Sequence, residues 1–98
     1  LPRFKLHLTT YMMNETYKKE MQRIALRIRK VREFKNFSQE YLATKIGISQ
    51  NAYSKIELGY SKITLDRLFH IAIILEVQVT ELLYFNKDNF SGKLGKEA

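Results

Sequence analysis

The chain has 98 residues and a formal net charge of +7, from 17 Lys and Arg against 10 Asp and Glu. That length makes one small domain without a large core, for which a compact helical bundle is the economical solution. There is no cysteine, which excludes a disulfide framework and cysteine-based zinc sites and suits a cytoplasmic protein. No apolar run approaches the roughly 20 residues needed to cross a bilayer, and no basic-then-apolar leader is visible.

The positive charge is uneven. Residues 1–36 hold ten Lys/Arg against three Asp/Glu, whereas residues 37–85 hold four against five. A field of that sign attracts polyanions; a soluble basic surface accounts for it equally well. Residues 1–18 read as an N-terminal arm. Within it RFKLHLT sets Phe4, Leu6 and Leu8 against Arg3, Lys5 and His7, which is a strand period. A lone strand needs a partner, so this segment pairs with its copy in a dimer, stays disordered, or is a remnant of cloning or processing.

Residues 19–85 carry the periodicity of a helical domain. KEMQRIALRIRKVREFK (19–35) predicts a first helix, with Ile24, Ile28, Val31 and Phe34 as its inner stripe and Arg23, Arg27, Arg29 and Lys30 covering the rest. Phe37 is expected to be buried beside Ser38. Ser38 is a good N-cap for a second helix, whose Leu42, Ala43 and Ile46 share one face. Ala43 is small where two helices cross steeply. Gly47 suits a left-handed helix end, and Ile48 packs under the turn. Ser49 caps a third helix with Ala52, Tyr53 and Ile56 inward, ended by Gly59. After a loop, Thr64 caps a fourth helix, with Leu65, Leu68, Ile71, Ala72 and Leu75 facing the core. A short fifth helix runs through Thr80–Tyr84, with Val77, Leu82 and Leu83 apolar. Residues 86–98, polar and glycine-bearing, read as a loose tail. Two short helices about a glycine turn form a unit that presents its second member to a DNA major groove.

With those residues in view, the chain resembles the phage-repressor and Cro-like (XRE) helix-turn-helix family. The matching stretches are IRKVR (28–32), SQEYLATKIGIS (38–49), YSKIELG (53–59), TLDRLFHIAIILEV (64–77) and ELL (81–83). The resemblance implies an all-α, compact five-helix bundle, the lambda-repressor-like DNA-binding domain. It implies that Gln39 holds a phosphate and braces the first base-reading residue. Gln50 and Asn51 fall where family members meet base edges, with Lys55 on the same face. Arg32 and Glu57 match a buried ion pair between the first and third helices. Ser49, Ser54 and Lys62 join Gln39 as phosphate or bracing residues, and Lys45, Arg67 and the first-helix cations are further phosphate candidates.

The residues agree on chemistry. Gln and Asn can bond adenine bidentately, and lysine reaches guanine acceptors or phosphate; plain solvent-facing polarity near a cap is the alternative. The chain departs from the family pattern at Glu76, where glycine is usual after the fourth helix. At Gln78 a Ser or Thr cap is usual, so the fifth helix is expected to start nearer Thr80. The usual proline before Thr64 is missing. The fourth helix is also unusually apolar: Phe69 and Ile73, with Ile74, Tyr84 and Phe85, suggest a homodimer interface, or else a larger core against the arm.

No catalytic constellation is expected. His7 and His70 are far apart, with His70 a surface or interface residue. No glycine-rich phosphate loop or metal-ligand spacing occurs, and no cofactor is called for. The leading reading is therefore not an enzyme but a dimeric, sequence-specific transcriptional repressor of bacterial or phage type, binding double-stranded DNA at an inverted repeat. The runner-up is an antitoxin-like protein whose apolar fourth helix holds a toxin-like protein partner. A helix-turn-helix that no longer binds DNA is the third.

Overall fold

A computed structural model describes residues 3–84, with side chains from residue 12 onward. It is all-helical: α1 (Arg3–Phe34), α2 (Gln39–Ile46), α3 (Gln50–Glu57), α4 (Leu65–Leu75) and α5 (Val79–Leu83), with no strand among the described residues. Phe85 and the tail expected over residues 86–98 lie outside them.

The first helix is much longer than its apolar stripe predicts. It has 32 residues, about 48 Å at 1.5 Å per residue, and runs without a break through the boundary expected at residue 18. The strand reading of RFKLHLT is thereby corrected: the backbone there is helical. A strand needs an external partner for its hydrogen bonds, whereas a helix supplies its own. Residues 3–36 contain no glycine or proline, and lengthening an existing helix avoids a new nucleation cost. Among the described side chains of α1, those of its C-terminal third enter the core, through Ala25, Ile28 and Val31, with Ile24 and Phe34 packed at its edge. Residues 12–20 are exposed throughout.

Against that stripe α2 sets Leu42 and Ala43, α3 sets Tyr53 and Ile56, and α4 sets Leu68, Ile71, Ala72 and Leu75; Leu82 of α5 closes the base. One expected core residue is outside: Leu65, the first residue of α4, is 67% exposed, and the apolar Leu83 at the end of α5 is 46% exposed. Phe37 is half-buried, its ring 4.8 Å from that of Tyr41.

The helix starts follow local chemistry. Ser38 Oγ accepts from the Tyr41 N–H at 3.0 Å, Ser49 Oγ from Ala52 at 3.0 Å, and Thr64 Oγ1 from Arg67 at 3.1 Å. Each satisfies one amide that the helix leaves orphaned. The fifth helix does not shift toward Thr80. It starts at Val79, because the Glu81 carboxylate accepts from the Gln78 N–H at 3.0 Å and caps the turn without a hydroxyl.

The first four helix ends share one device. Asn36, Gly47, Gly59 and Glu76 all take positive φ. The amide after each reaches back six residues inclusive: Phe37 to Arg32 O, Ile48 to Ala43 O, Tyr60 to Lys55 O and Val77 to Ala72 O, at 2.9–3.1 Å. This is the left-handed closure that glycine favours. Glu76, where the family's glycine is absent, adopts it with φ 61°, at a steric cost of roughly 1–2 kcal/mol for a residue with a Cβ.

Glu76→Gly is therefore expected to stabilise the protein by about 1 kcal/mol, raising Tm by roughly 4–8 °C. Thermal unfolding followed by circular dichroism reads this directly. An unchanged or lower Tm would mean that the glutamate carries the turn without strain.

Candidate nucleic-acid interface

The outward surface of α3 is set by what its inward side holds. Tyr53, Ile56 and Glu57 are buried on one side of this helix. Gln50, Asn51 and Lys55 are exposed, and so is the cap Ser49. Gln50 and Asn51 open the helix and Lys55 stands one turn further on. The Ser49 hydroxyl oxygen is engaged by Ala52, which leaves its own hydrogen free to donate. Ser54 is half-buried at the flank, and Lys62 is exposed in the loop after α3.

The orientation of α3 is fixed by the Glu57 carboxylate. Its Oε2 accepts from Arg32 Nε at 2.7 Å and from the Tyr53 hydroxyl at 2.5 Å. Its Oε1 accepts from Arg32 Nη2 at 3.1 Å and from Gln39 Nε2 at 3.1 Å. Four donors fill the roughly four acceptor positions of one carboxylate. Arg32 Nη1 donates to Phe37 O at 2.7 Å, so one guanidinium braces both α3 and the link into α2. Arg32 and Glu57 are both buried. The bonds to Glu57 raise the Arg32 pKa above its ordinary value, against the opposing effect of burial. The Tyr53 phenol is pushed strongly up, first by burial and then by its bond to Glu57. Among the described residues no buried side-chain nitrogen or oxygen lacks a partner.

Gln39 thus sits in a different place from Gln50 and Asn51. It is half-buried at the start of α2, with one amide N–H committed to Glu57. The structure gathers Gln39, Arg32, Tyr53 and Glu57 into one network and leaves Gln50, Asn51 and Lys55 facing solvent. Lys45 rests its ammonium 5.6 Å above the Tyr41 ring on the outer side of α2.

Three contacts were missed in the sequence, the bond of Gln39 to Glu57 among them. Tyr53 donates to Glu57, and the i, i+4 spacing within one helix was the available signal. Arg27, expected on the solvent side of α1, is buried; its Nε donates to Glu81 O at 2.8 Å and ties α1 to α5. Burial lowers its pKa, partly offset by the Glu81 charge. Its place beside Ile24, Ile28 and Val31 on the helical wheel was the sign.

The apolar residues on the outer side of α4 stay uncovered: Phe69 is 47% and Ile73 72% exposed, and Leu65 extends their line by one turn. Tyr84 is 63% exposed. Among the described residues no group of three or more His, Cys, Asp or Glu side chains gathers as a metal site, and no helix is long and apolar enough to cross a membrane.

A family model described as helix-turn-helix matches residues 28–82. No curated protein and no solved structure matches the chain significantly.

Because the folded state holds Tyr53 neutral, its contribution to stability is complete below the ordinary phenol pKa near 10 and is lost as the pH rises above it. Tyr53→Phe is expected to be less stable by about 1.5–3 kcal/mol near neutrality, the worth of a hydrogen bond to a charged group. The gap narrows toward about pH 11. Denaturant unfolding of both proteins across that range measures it; a gap independent of pH would show that the hydroxyl contributes nothing through Glu57.

Proposed function

The chain belongs to the XRE, Cro- and repressor-type family of helix-turn-helix proteins, and from that premise we propose that it is a cytoplasmic, dimeric repressor that reads an inverted repeat. The family supports DNA binding of the transcription-regulator type. The reading of individual bases is supported by one observation above the others. The helix capped by Ser49 turns Gln50 and Asn51 outward, while its opposite side is held by Tyr53, Ile56 and Glu57.

In this reading the first turn of α3 enters the major groove, where side chains near a recognition helix's start meet base edges. Gln50 and Asn51 present amides that match the N6 and N7 pattern of adenine. Lys55 reaches guanine acceptors or phosphate. Ser49, Ser54, Lys62 and the remaining amide hydrogen of Gln39 meet the backbone, supplying affinity and a steep salt dependence. In this reading the protein is a regulator and not an enzyme, and repression follows from occluding a promoter.

Dimerisation is argued from the exposed Phe69, Ile73 and Tyr84, with Phe85 continuing the sequence. Apolar side chains clustered on one outer helix side mark an interface. A two-fold dimer of such domains spans half-sites about 34 Å apart. The same surface favours the second reading, in which it holds a toxin-like protein and DNA binding serves autoregulation.

Gln50→Ala and Asn51→Ala are each expected to lose about 1–3 kcal/mol of preference for a selected duplex, with binding to random duplex little changed. Loss of affinity on both duplexes alike would contradict base reading. In sedimentation, the protein is expected as a dimer at micromolar concentration, with Ile73→Glu monomeric. A monomer at high micromolar concentration would remove the dimer, and co-purification of a protein partner over Ile73 would favour the second reading.

A further inference from the structure

Residues 12–20 of α1 are exposed and have no task in that reading, yet at residues 17–22 the helix runs directly past the loop between α3 and α4. A Cβ placed on Gly59 would stand 3.4 Å from Gln22 Cγ, so the loop is drawn tight against α1 at that point. Beside this contact a half-open cleft of about 260 Å³ lies between the two segments. Tyr17 and Lys18 line it from α1; Tyr60, Ser61 and Lys62 line it from the loop. None of its lining residues is acidic. Among the described residues no carboxylate pairs with Lys18 or Lys62, and both side chains are exposed.

Position decides what such a cleft meets. The eight residues of α3 extend about 12 Å at 1.5 Å per residue, close to the roughly 12 Å width of the major groove. With the Ser49 end among the bases, the opposite end and the loop after it stand at the groove's rim. There the strand backbone runs. Two ammoniums and three hydroxyls on the walls of one cleft suit a phosphate oxygen cluster.

We propose that the exposed turn of α1 at Tyr17 and Lys18 and the α3–α4 loop form a two-sided clamp on one DNA backbone phosphate, with Lys18 on one wall and Lys62 on the other. This rests on the DNA-binding reading above. It assigns the long first helix to affinity and to register along the duplex, and gives it no part in telling bases apart.

The test is the salt dependence of DNA affinity in the full chain, for Lys18→Gln, Lys62→Gln and the double variant, on selected and random duplexes. Each single substitution is expected to reduce the slope of log K against log salt by about 1. In practice each variant would lose about fourfold less affinity than the unaltered protein between roughly 50 and 200 mM salt. The preference for the selected duplex is expected to stay the same. Because both ammoniums meet one phosphate, the double variant is expected to lose less than the sum of the singles. A Lys18→Gln slope equal to that of the unaltered protein overturns the clamp, even where Lys62→Gln lowers it. So does additive loss, which would place the lysines on separate phosphates. Binding of free inorganic phosphate that depends on Lys18, with DNA affinity unaffected, also overturns it. If the unaltered protein binds no duplex at any salt, the DNA-binding reading falls and takes the clamp with it. If Gln50→Ala abolishes sequence preference while Lys18→Gln keeps the full slope, only the clamp falls.

Discussion

The Glu57 carboxylate is where three segments of this protein meet. It lies near the end of α3 and accepts from a guanidinium of α1, an amide of α2 and a phenol of its own helix. Apolar packing by Tyr53 and Ile56 would hold α3 against the bundle, but packing is non-directional and leaves the roll of a short helix loosely set. Charge-assisted hydrogen bonds from a forked guanidinium are directional. They fix how far α3 is turned about its own axis, and that angle decides whether Gln50 and Asn51 look outward. A buried ion pair is weak evidence for net stability, since its desolvation offsets much of its attraction. Its service here is geometric.

Short helices make such fixing necessary. At eight residues each, α2 and α3 are far below the length at which a helix is stable alone in water. Their ends are closed by hydroxyl caps at the start and left-handed turns at the finish, so few backbone groups are left unsatisfied. Arg32 then links this closure to the network, because its guanidinium also holds Phe37 O at the entry to α2. On the far side of α1, Arg27 does similar work for α5 through Glu81 O. Two arginines of one helix, five residues apart, thus tie α1 to α5 and to α3.

Much of this was legible in the residues themselves. Ser38, Ser49 and Thr64 announced helix starts, and Gly47 and Gly59 announced turns, because each of those roles depends on local chemistry. The inward stripe Ile28, Val31, Leu42, Tyr53, Ile56, Leu68, Ile71 and Leu75 followed from period alone. The pairing of Arg32 with Glu57 came from family resemblance, since nothing local links positions 25 residues apart. The convergence of Gln39 on the same carboxylate, 18 residues away, was missed for the same reason, whereas Tyr53 stands four residues from Glu57 on one helix and that local spacing was overlooked. The length of α1 was misread because alternation of basic and apolar residues over seven positions fits a strand as well as a helix, and periodicity carries no information on whether a partner strand is at hand. Glu76 was read as an unexplained end; in the structure the backbone takes the left-handed turn despite the side chain, because the packing of Ala72, Leu75 and Val77 outweighs one strained residue. Leu65 had the right spacing but stands exposed at the first position of α4.

The measurement that bears most directly on this account is the unfolding free energy of Glu57→Gln in denaturant at neutral pH. The substitution preserves shape and removes the charge that Arg32 is buried against. The account predicts a loss of about 3–5 kcal/mol, the typical cost of stranding one member of a buried pair. Unfolding that matches the unaltered protein would contradict it, because the helices would then be held in place by packing alone.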